Sequence, residues 1–132
     1  MQTSYSETNQ PFQAIAFDFD GTLIDTLQLH FEAYRRVFEA ENLELTPDDF
    51  FKNIGGKATE AIPLFLRGRH TTLTIGEIHS RKKEQIAILF RDAPLQILPT
   101  ARFLPMFAGR LPLALVSAGS RPGILQLLQR LG

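Results

Sequence analysis

The fold is decided by the stretch Ala14-Ile15-Ala16-Phe17-Asp18-Phe19-Asp20-Gly21-Thr22. Its first four residues are apolar, which predicts a short buried strand, and the carboxylates and the glycine that follow mark the end of that strand. Side chains two residues apart on an extended backbone return to the same face, so Asp18 and Asp20 project to one side. We therefore expect two carboxylates to converge at the carboxyl end of a strand.

Two carboxylates in this position can transfer a phosphoryl group. Asp18 would attack phosphorus to form an acyl phosphate, while Asp20 would protonate the leaving oxygen and later activate water. Because carboxylates repel an anionic phosphate, the reaction needs a hard cation such as Mg²⁺. Gly21 would let backbone amides approach the phosphate, and Thr22 would add a hydroxyl contact. In the alternative reading, both aspartates only solvate the strand end and cap the following turn.

Helical patterns fill the chain between this strand and a second apolar run, Leu113-Ala114-Leu115-Val116, which predicts a second buried strand. Apolar spacing and capping residues predict helices over Asp25–Ala40, from Thr46 to near Gly55, from about Thr59 with Pro63 in its first turn, from Thr74 to Asp92 and around Phe103–Phe107. A final helix with Pro122 in its first turn is predicted up to Leu131. This order of elements implies a parallel α/β core that binds ligands outside the carboxyl ends of its strands.

Composition narrows the class of partner. The chain has 132 residues, 14 basic and 14 acidic residues, and no cysteine. A balanced charge favours a small-molecule partner over nucleic acid or an anionic membrane, and the lack of cysteine favours a reducing cytoplasm. The first residues are polar and do not resemble a secretory signal, so we interpret residues 1–11 as a flexible tail.

The segment Asp18-Phe19-Asp20-Gly21-Thr22-Leu23-Ile24-Asp25-Thr26 resembles the first signature of the haloacid dehalogenase superfamily. The second aspartate is similar to that of the family's phosphatases and phosphomutases. The resemblance implies that Asp18 is the nucleophile and Asp20 the general acid/base. It also implies that Mg²⁺ is bound by the Asp18 carboxylate and the Phe19 carbonyl, the backbone neighbour of Asp20.

The resemblance extends to the architecture. It implies an α/β fold with a partial Rossmann-like parallel core and an inserted α-helical cap. The core would comprise residues 12–26 and 94–132, and the cap residues 27–93. A lysine and a later acidic loop that the family also requires normally follow its second signature, so we expect a core truncated at its C-terminal side.

Ser117 and Ala118 follow the second apolar run, where the family's second signature places a serine or threonine that hydrogen-bonds the phosphate. Many phosphatases of the family have asparagine after that serine, so the contact made by its side chain is absent at Ala118. Ser-Ala-Gly-Ser is otherwise ordinary turn chemistry. The resemblance therefore gives both positions to the phosphate-binding site.

The cap is similar to that of the β-phosphoglucomutase-like branch. An arginine in the cap loop of that branch grips a distal phosphate, whereas Ala58 stands at the matching position here, beside Lys57. Lys82 resembles a cap lysine that helps to gate the substrate, although a solvated helix face is an equal alternative. Because lysine lacks the bidentate fork of arginine, hydrolysis of a small phosphate ester such as a sugar phosphate is favoured over a mutase reaction.

The histidines and the overall function leave alternatives open. His30 fits either a hinge or pocket residue or a partner within its helix, while His70 and His79 are interpreted as surface residues. The first function hypothesis is a Mg²⁺-dependent phosphatase, with a β-phosphoglucomutase-type mutase as its variant. The second is a catalytically inactive fragment or binding module that lacks the C-terminal motifs.

Overall fold

The structure is a computed structural model that describes residues 11–132. Apart from residue 11, the tail predicted over residues 1–11 lies outside the described residues. The elements, in chain order, are β1 (Ile15–Asp18), α1 (Leu27–Ala40), α2 (Pro47–Asn53), α3 (Ala58–Leu66), α4 (Ile75–Asp92), a 3-10 helix (Pro99–Phe103), α5 (Leu104–Phe107), β2 (Leu113–Val116) and α6 (Arg121–Leu131).

The two strands form a parallel pair, which confirms the predicted α/β class. Ile15 pairs with Leu113 and Asp18 with Val116, so the two strands end side by side. The prediction that both strands are buried was wrong. Leu115 is 39% exposed and Val116 60% exposed, because within residues 11–132 no third strand flanks the pair and its faces are only partly covered.

Local capping explains where the helices begin. The Thr46 side chain accepts a hydrogen bond from the Asp49 amide at the start of α2. The predicted capping box is present in α4, where Thr74 and Glu77 each satisfy a backbone amide of the other. The Ser120 side chain accepts a hydrogen bond from the Gly123 amide at the start of α6. The caps at Thr46 and Thr74 depend on residues close in sequence and were predicted from it, whereas the cap at Ser120 was not predicted.

Two helical details differ from expectation. Pro63 lies inside α3, six positions into a helix that begins at Ala58, and not in its first turn. The helix tolerates it because Pro63 is exposed, so the carbonyl that loses its amide donor can be hydrated. The helix expected around Phe103 is split between the 3-10 helix and the short α5.

The apolar side chains form two clusters. One lies among the four helices α1, α2, α3 and α4 and contains Phe38, Phe50 and Phe65, each about 1% exposed. The other joins the turn after β1 to α6 and to the end of α4, through Phe19, Leu127 and Phe90. The domain boundaries at residues 27 and 93 stay a prediction. None of the described helices combines the length and the apolarity that crossing a membrane would require.

The chain segments that enter and leave the helical insert lie side by side. The Asp25 amide donates to the Gln96 carbonyl at 2.9 Å, and the Leu98 amide donates to the Leu23 carbonyl at 2.9 Å. At the end of α4, the Arg130 guanidinium of α6 donates to the carbonyls of Phe90 and Ala93. The insert is therefore tied at its base to the loop after β1 and to α6.

Candidate active site

A cavity of about 670 Å³ opens between the carboxyl ends of the two strands and helices α1 to α4. Asp18 and Asp20 lie on its floor, beside the loop after β2 and the start of α6. The side chains of α1 to α3 that line it are mostly apolar, whereas α4 contributes basic groups. The cavity therefore has a carboxylate floor, an apolar wall and a basic wall.

Asp18 ends β1 and is exposed to the cavity. Its Oδ1 accepts a hydrogen bond from the Phe19 amide at 2.9 Å, and its Oδ2 accepts one from the Thr22 hydroxyl at 3.3 Å. Neither donor carries a charge. The carboxylate is thus oriented by the turn that follows it, while its remaining lone pairs face open space.

Asp20 is held by three donors from three parts of the chain. Its Oδ1 accepts from the buried Thr26 hydroxyl at 2.6 Å, and its Oδ2 accepts from the Ser117 hydroxyl at 2.9 Å. The Nε2 atom of His30, on α1, lies 3.6 Å from Oδ1. Burial alone would raise the pKa of Asp20, but His30, Thr26 and Ser117 together outweigh it and lower the pKa to about 2. In this arrangement Asp20 is therefore ionised at neutral pH.

The turn between the two aspartates and α1 engages its own backbone. Gly21 adopts a positive φ of 72°, and a Cβ at this position would lie 3.2 Å from Leu27. Its amide donates to the Ile24 carbonyl at 2.8 Å, and the Thr22 amide donates to the Phe19 carbonyl at 3.3 Å. Both residues lie beside the cavity floor, but their amides serve the turn itself.

The loop after β2 brings Ser117 to Asp20. The hydroxyl of Ser117 donates to Asp20 and accepts from the Gly119 amide at 2.9 Å. A Cβ on Gly119 would lie 3.2 Å from this hydroxyl, so the loop passes close to it. Ala118, Gly119 and Ser120 line the cavity. The parallel register, which ends both strands at the same level, accounts for this meeting.

Lys82 of α4 reaches across the cavity to His30. Its Nζ lies 2.8 Å from His30 Nδ1 and 5.2 Å from the centre of the Tyr34 ring. An ammonium can only donate, so Nδ1 accepts and the imidazole hydrogen is on Nε2, facing Asp20. Burial lowers the pKa of Lys82 to about 8, an effect that Lys83 reinforces and Asp20 partly opposes. The helical insert and the carboxylate floor are thus linked through one imidazole.

Of the remaining residues singled out from the sequence, some line the cavity and others do not. Ala58 lines the cavity at the start of α3, whereas Lys57 is the residue before that helix and does not line it. His70 is exposed, as expected. His79, interpreted as a surface residue, lines the cavity together with Lys83. The spacing of residues 79, 82 and 83 on one helix was the signal that could have identified this face.

Sequence reasoning also missed Thr26. Thr26 is the last residue of the first signature and the sequence predicts no role for it, but the structure buries it against Asp20. A hydroxyl six residues after a carboxylate has no helical or strand periodicity to reveal the contact. The turn between them, which the bridge of Asp20 with Ile24 closes, brings the two together.

Of the two ligands expected for Mg²⁺, the Asp18 carboxylate is suited to bind it. Within residues 11–132 no three histidine, cysteine or acidic side chains form a group that could hold a metal by themselves. Mg²⁺ does not need such a group, since it is often bound by one or two carboxylates, waters and substrate phosphates. Asp18 suits this role because its carboxylate faces the cavity with only uncharged donors. Both oxygens of Asp20 already accept hydrogen bonds.

The Phe19 carbonyl, expected as a second ligand, is directed elsewhere. It accepts hydrogen bonds from the amides of Leu23 at 3.0 Å and of Thr22 and Ile24 at 3.3 Å. A carbonyl oxygen has two lone pairs, and these three donors occupy both. Metal binding by Asp18 therefore agrees with this arrangement, and metal binding by the Phe19 carbonyl stays a prediction that would require these hydrogen bonds to change.

Comparison with known proteins identifies the family. Residues 12–132 match the family described as haloacid dehalogenase-like hydrolase. The match covers nearly all of the chain, including both strands and the loops that carry Asp18, Asp20 and Ser117. The chain belongs to the haloacid dehalogenase-like hydrolase family.

Three relatives illustrate the likeness. A phosphorylated carbohydrates phosphatase of Thermotoga maritima is 29% identical over 90% of this chain and 56% of its own length. A 6-phosphogluconate phosphatase of Escherichia coli is 32% identical over 81% of this chain and 48% of its own length. The structure of CbbY from Rhodobacter sphaeroides in complex with phosphate has a TM-score of 0.74 at 28% identity, and the match covers 89% of this chain and 56% of that one. The chain thus spans about half the length of these relatives.

Proposed function

We propose that this chain supplies the nucleophile and the helical cap of a Mg²⁺-dependent phosphatase that hydrolyses a small phosphorylated metabolite, such as a sugar phosphate, in the cytoplasm. The observation that carries the proposal is the convergence of Asp18 and Asp20 on one cavity, with Ser117 from the loop after β2 hydrogen-bonded to Asp20. The names of the relatives in Thermotoga maritima and Escherichia coli support a phosphorylated carbohydrate as the substrate class.

Asp18 and Asp20 would divide the reaction between them. An oxygen of Asp18 bonds to phosphorus as the ester bond breaks, and the leaving oxygen takes a proton from the Asp20 carboxyl. Water then attacks phosphorus, Asp20 takes its proton, and the bond to Asp18 breaks to release inorganic phosphate. When bound beside Asp18, Mg²⁺ would offset the repulsion between this carboxylate and the phosphate.

The hydrogen bonds of Asp20 decide whether it acts as a base or as an acid. With its pKa lowered to about 2 by donors that outweigh the effect of burial, Asp20 is a carboxylate and therefore a base in this arrangement. To protonate a leaving group it must first lose some of these donors. His30 is the donor that can leave as the cap moves, because α1 carries it and Lys82 of α4 binds its other nitrogen.

The cavity argues against a phosphomutase. Arginine is absent from the residues that line it within the part of the chain that the structure describes, and Ala58 occupies the position at which the mutase branch is expected to carry one. A second phosphate would need a bidentate partner that this wall does not offer. Hydrolysis needs only the phosphate site and water.

The test is the Asp18→Asn variant assayed with p-nitrophenyl phosphate and Mg²⁺. Because the chain spans about half of its relatives, turnover is measured in the chain itself and in a chimera that carries the remaining part of the Thermotoga maritima relative. We expect Asp18→Asn to lower kcat by at least about a thousandfold, since the acyl phosphate can no longer form. Mass spectrometry of the rapidly quenched wild-type protein should detect a phosphorylated Asp18.

The matched control is Asp48→Asn on the outer surface of α2, where Lys52 is its only ion-pair partner among residues 11–132. It should keep full activity. Turnover by the Asp18→Asn variant at the wild-type rate would rule out the proposed nucleophile. A wild-type chimera without activity would instead favour the binding-module hypothesis.

A further inference from the structure

Three basic side chains of α4 line the same side of the cavity. They are His79, Lys82 and Lys83, which stand at spacings of three and four residues and therefore share one helix face. The opposite wall, from α1 to α3, is apolar apart from the Tyr34 hydroxyl, with Phe50, Ile54 and Ala58 among its residues. All the basic side chains that line the cavity thus belong to the α4 wall, apart from His30 on the floor.

These basic groups lack carboxylate partners. Within residues 11–132 none of the three forms an ion pair, although Arg81 and Arg91 on the same helix do. The acidic residues that line the cavity are Asp18 and Asp20, on the floor. Asp20 attracts Lys82 through space, but His30 stands between them. Repulsion by Lys83 contributes to lowering the pKa of Lys82, and a bound anion would offset this repulsion.

The electrostatics of His79 agree with this geometry. Partial burial lowers the pKa of His79, and the neighbouring Lys83 and Lys82 lower it further. His79 and Lys82 are therefore partly buried, and the exposed Lys83 beside them acts on both. An anion placed there would interact with all of them at once.

The basic face of α4, formed by His79, Lys82 and Lys83, extends away from the proposed phosphate site at Asp18. The end of α4 packs against the turn after β1, through Phe90 and Phe19, so His79 lies farther along the helix from that turn than Lys82 does. Three residues of helix separate them by about 4.5 Å. A phosphate at Asp18 and an anion at His79 would therefore belong to opposite ends of one elongated ligand, and a cavity of about 670 Å³ can contain it.

We propose that the face formed by His79, Lys82 and Lys83 binds a carboxylate at the far end of the substrate, so that the substrate is the phosphate monoester of a small polar acid. The inference rests on the proposed function, because it assumes that the phosphate occupies the site beside Asp18. A carboxylate fits better than a second phosphate, since lysine and histidine are single-point donors and no arginine among residues 11–132 lines the cavity.

The test compares two ligands that differ only at the far end. 6-Phosphogluconate and glucitol 6-phosphate share six carbons and a phosphate, but the first ends in a carboxylate and the second in a hydroxymethyl group. Calorimetry on the 132-residue chain with Mg²⁺ measures both Kd values, and an assay of free phosphate confirms that each ligand stays intact. We expect the acid to bind at least about tenfold more tightly than the alcohol.

Substitutions test whether the difference in Kd between the two ligands comes from His79, Lys82 and Lys83. His79→Gln and Lys83→Gln should each remove most of it while leaving the Kd of glucitol 6-phosphate unchanged. Lys52→Gln, which removes an exposed charge on α2 away from the cavity, should preserve it. Circular dichroism checks that each variant is folded.

Each other result has a definite meaning. Equal Kd values for the two ligands would overturn the inference and leave the proposed phosphate site standing. A preference for the acid that survives both glutamine variants would also overturn it, because another group would then bind the carboxylate. If neither ligand binds to the 132-residue chain or to the chimera with the Thermotoga maritima relative, the proposed function fails together with the inference.

Discussion

Lys82 carries a charge into a largely buried position on the wall of the cavity. Its Nζ contacts His30 and lies over the Tyr34 ring, and no carboxylate within residues 11–132 pairs with it directly. Burial lowers its pKa from 10.5 to about 8, and Lys83 adds to the effect. The fold therefore accepts a destabilised ammonium at this position, which is a common cost of a functional residue.

Replacing Lys82 with methionine should stabilise the protein at neutral pH. Because the folded pKa lies below the unfolded one, the cost of the charge is fully present below about pH 8 and disappears as the pH rises towards 10.5. We expect Lys82→Met to raise the free energy of unfolding by about 1–2 kcal/mol at pH 7 and by much less at pH 10. Thermal unfolding followed by circular dichroism at both pH values measures this.

The same comparison can contradict the argument. A lower midpoint for Lys82→Met at pH 7 would mean that the contact with His30 stabilises the fold more than burial of the charge destabilises it. A gain of equal size at both pH values would assign the effect to packing of the methionine.

Single residues of the site differ in how far the sequence reveals them. Asp18, Asp20 and Ser117 follow apolar runs, so their place at the strand ends could be predicted, and the structure brings Ser117 to Asp20. The spacing of His79 from Lys82 and Lys83 could have revealed its place at the cavity, whereas Thr26 could not be predicted, because its contact with Asp20 depends on a turn. Tertiary contacts of this kind have no periodic signal.

Helix α3 contains a local conflict between sequence and structure. Pro63 removes the amide that would bind the Thr59 carbonyl, yet Ile62 and Phe65 on either side of it are buried in the helical cluster. The burial of these side chains keeps the segment helical despite the proline. This explains why the prediction that Pro63 lies in the first turn was wrong, although the predicted start at about Thr59 agrees with the observed start at Ala58.

Pro63→Ala should therefore stabilise the chain. The exposed position has room for alanine, and its amide restores one hydrogen bond of the helix. Proline costs about 3 kcal/mol relative to alanine inside a helix, and its restriction of the unfolded chain returns about 1 kcal/mol, so we expect a gain of about 1–2 kcal/mol. Urea unfolding measures the gain.

Pro47→Ala provides the control, since Pro47 is the first residue of α2, a position that proline suits. It should give no gain. Equal stabilisation by both substitutions would show that the effect does not come from the interior of α3.

Elements defined by local signals were predicted better than those defined by their surroundings. The capping residues Thr46 and Thr74 sit beside the helices they start, so those starts agree with the sequence. The exposure of β2 could not be predicted, because an apolar run indicates a strand but does not show what covers it.

At the scale of the whole molecule, apolar side chains of β2 and α6 face solvent. Val116 is 60% exposed and Leu125 48% exposed, while Leu115 and Leu128 are somewhat less so. Strand β2 also has an unpaired edge within the described residues, where it pairs only with β1. Exposed apolar strands with free edges promote association between chains.

We expect the 132-residue chain to self-associate at high concentration and Val116→Lys to reduce this. The new charge would lie on the exposed strand, where it opposes edge pairing, and should change the stability by less than about 0.5 kcal/mol. Sedimentation velocity over a concentration series measures the association.

Leu64→Lys is the matched control, because Leu64 is 53% exposed but lies on α3. It should leave the association unchanged. If both lysines act equally, general charge rather than the β2 surface controls the behaviour.

The pairing of β1 with β2 also has a consequence for the order of folding. Ile15 pairs with Leu113, so closing the sheet brings together the two ends of a loop that contains all of α1 to α4. Local helical contacts form quickly, whereas long-range parallel pairing must first overcome the entropy of closing the loop. Asp20 and Ser117 meet only when that closure occurs, so the candidate site is assembled late, around an already helical insert.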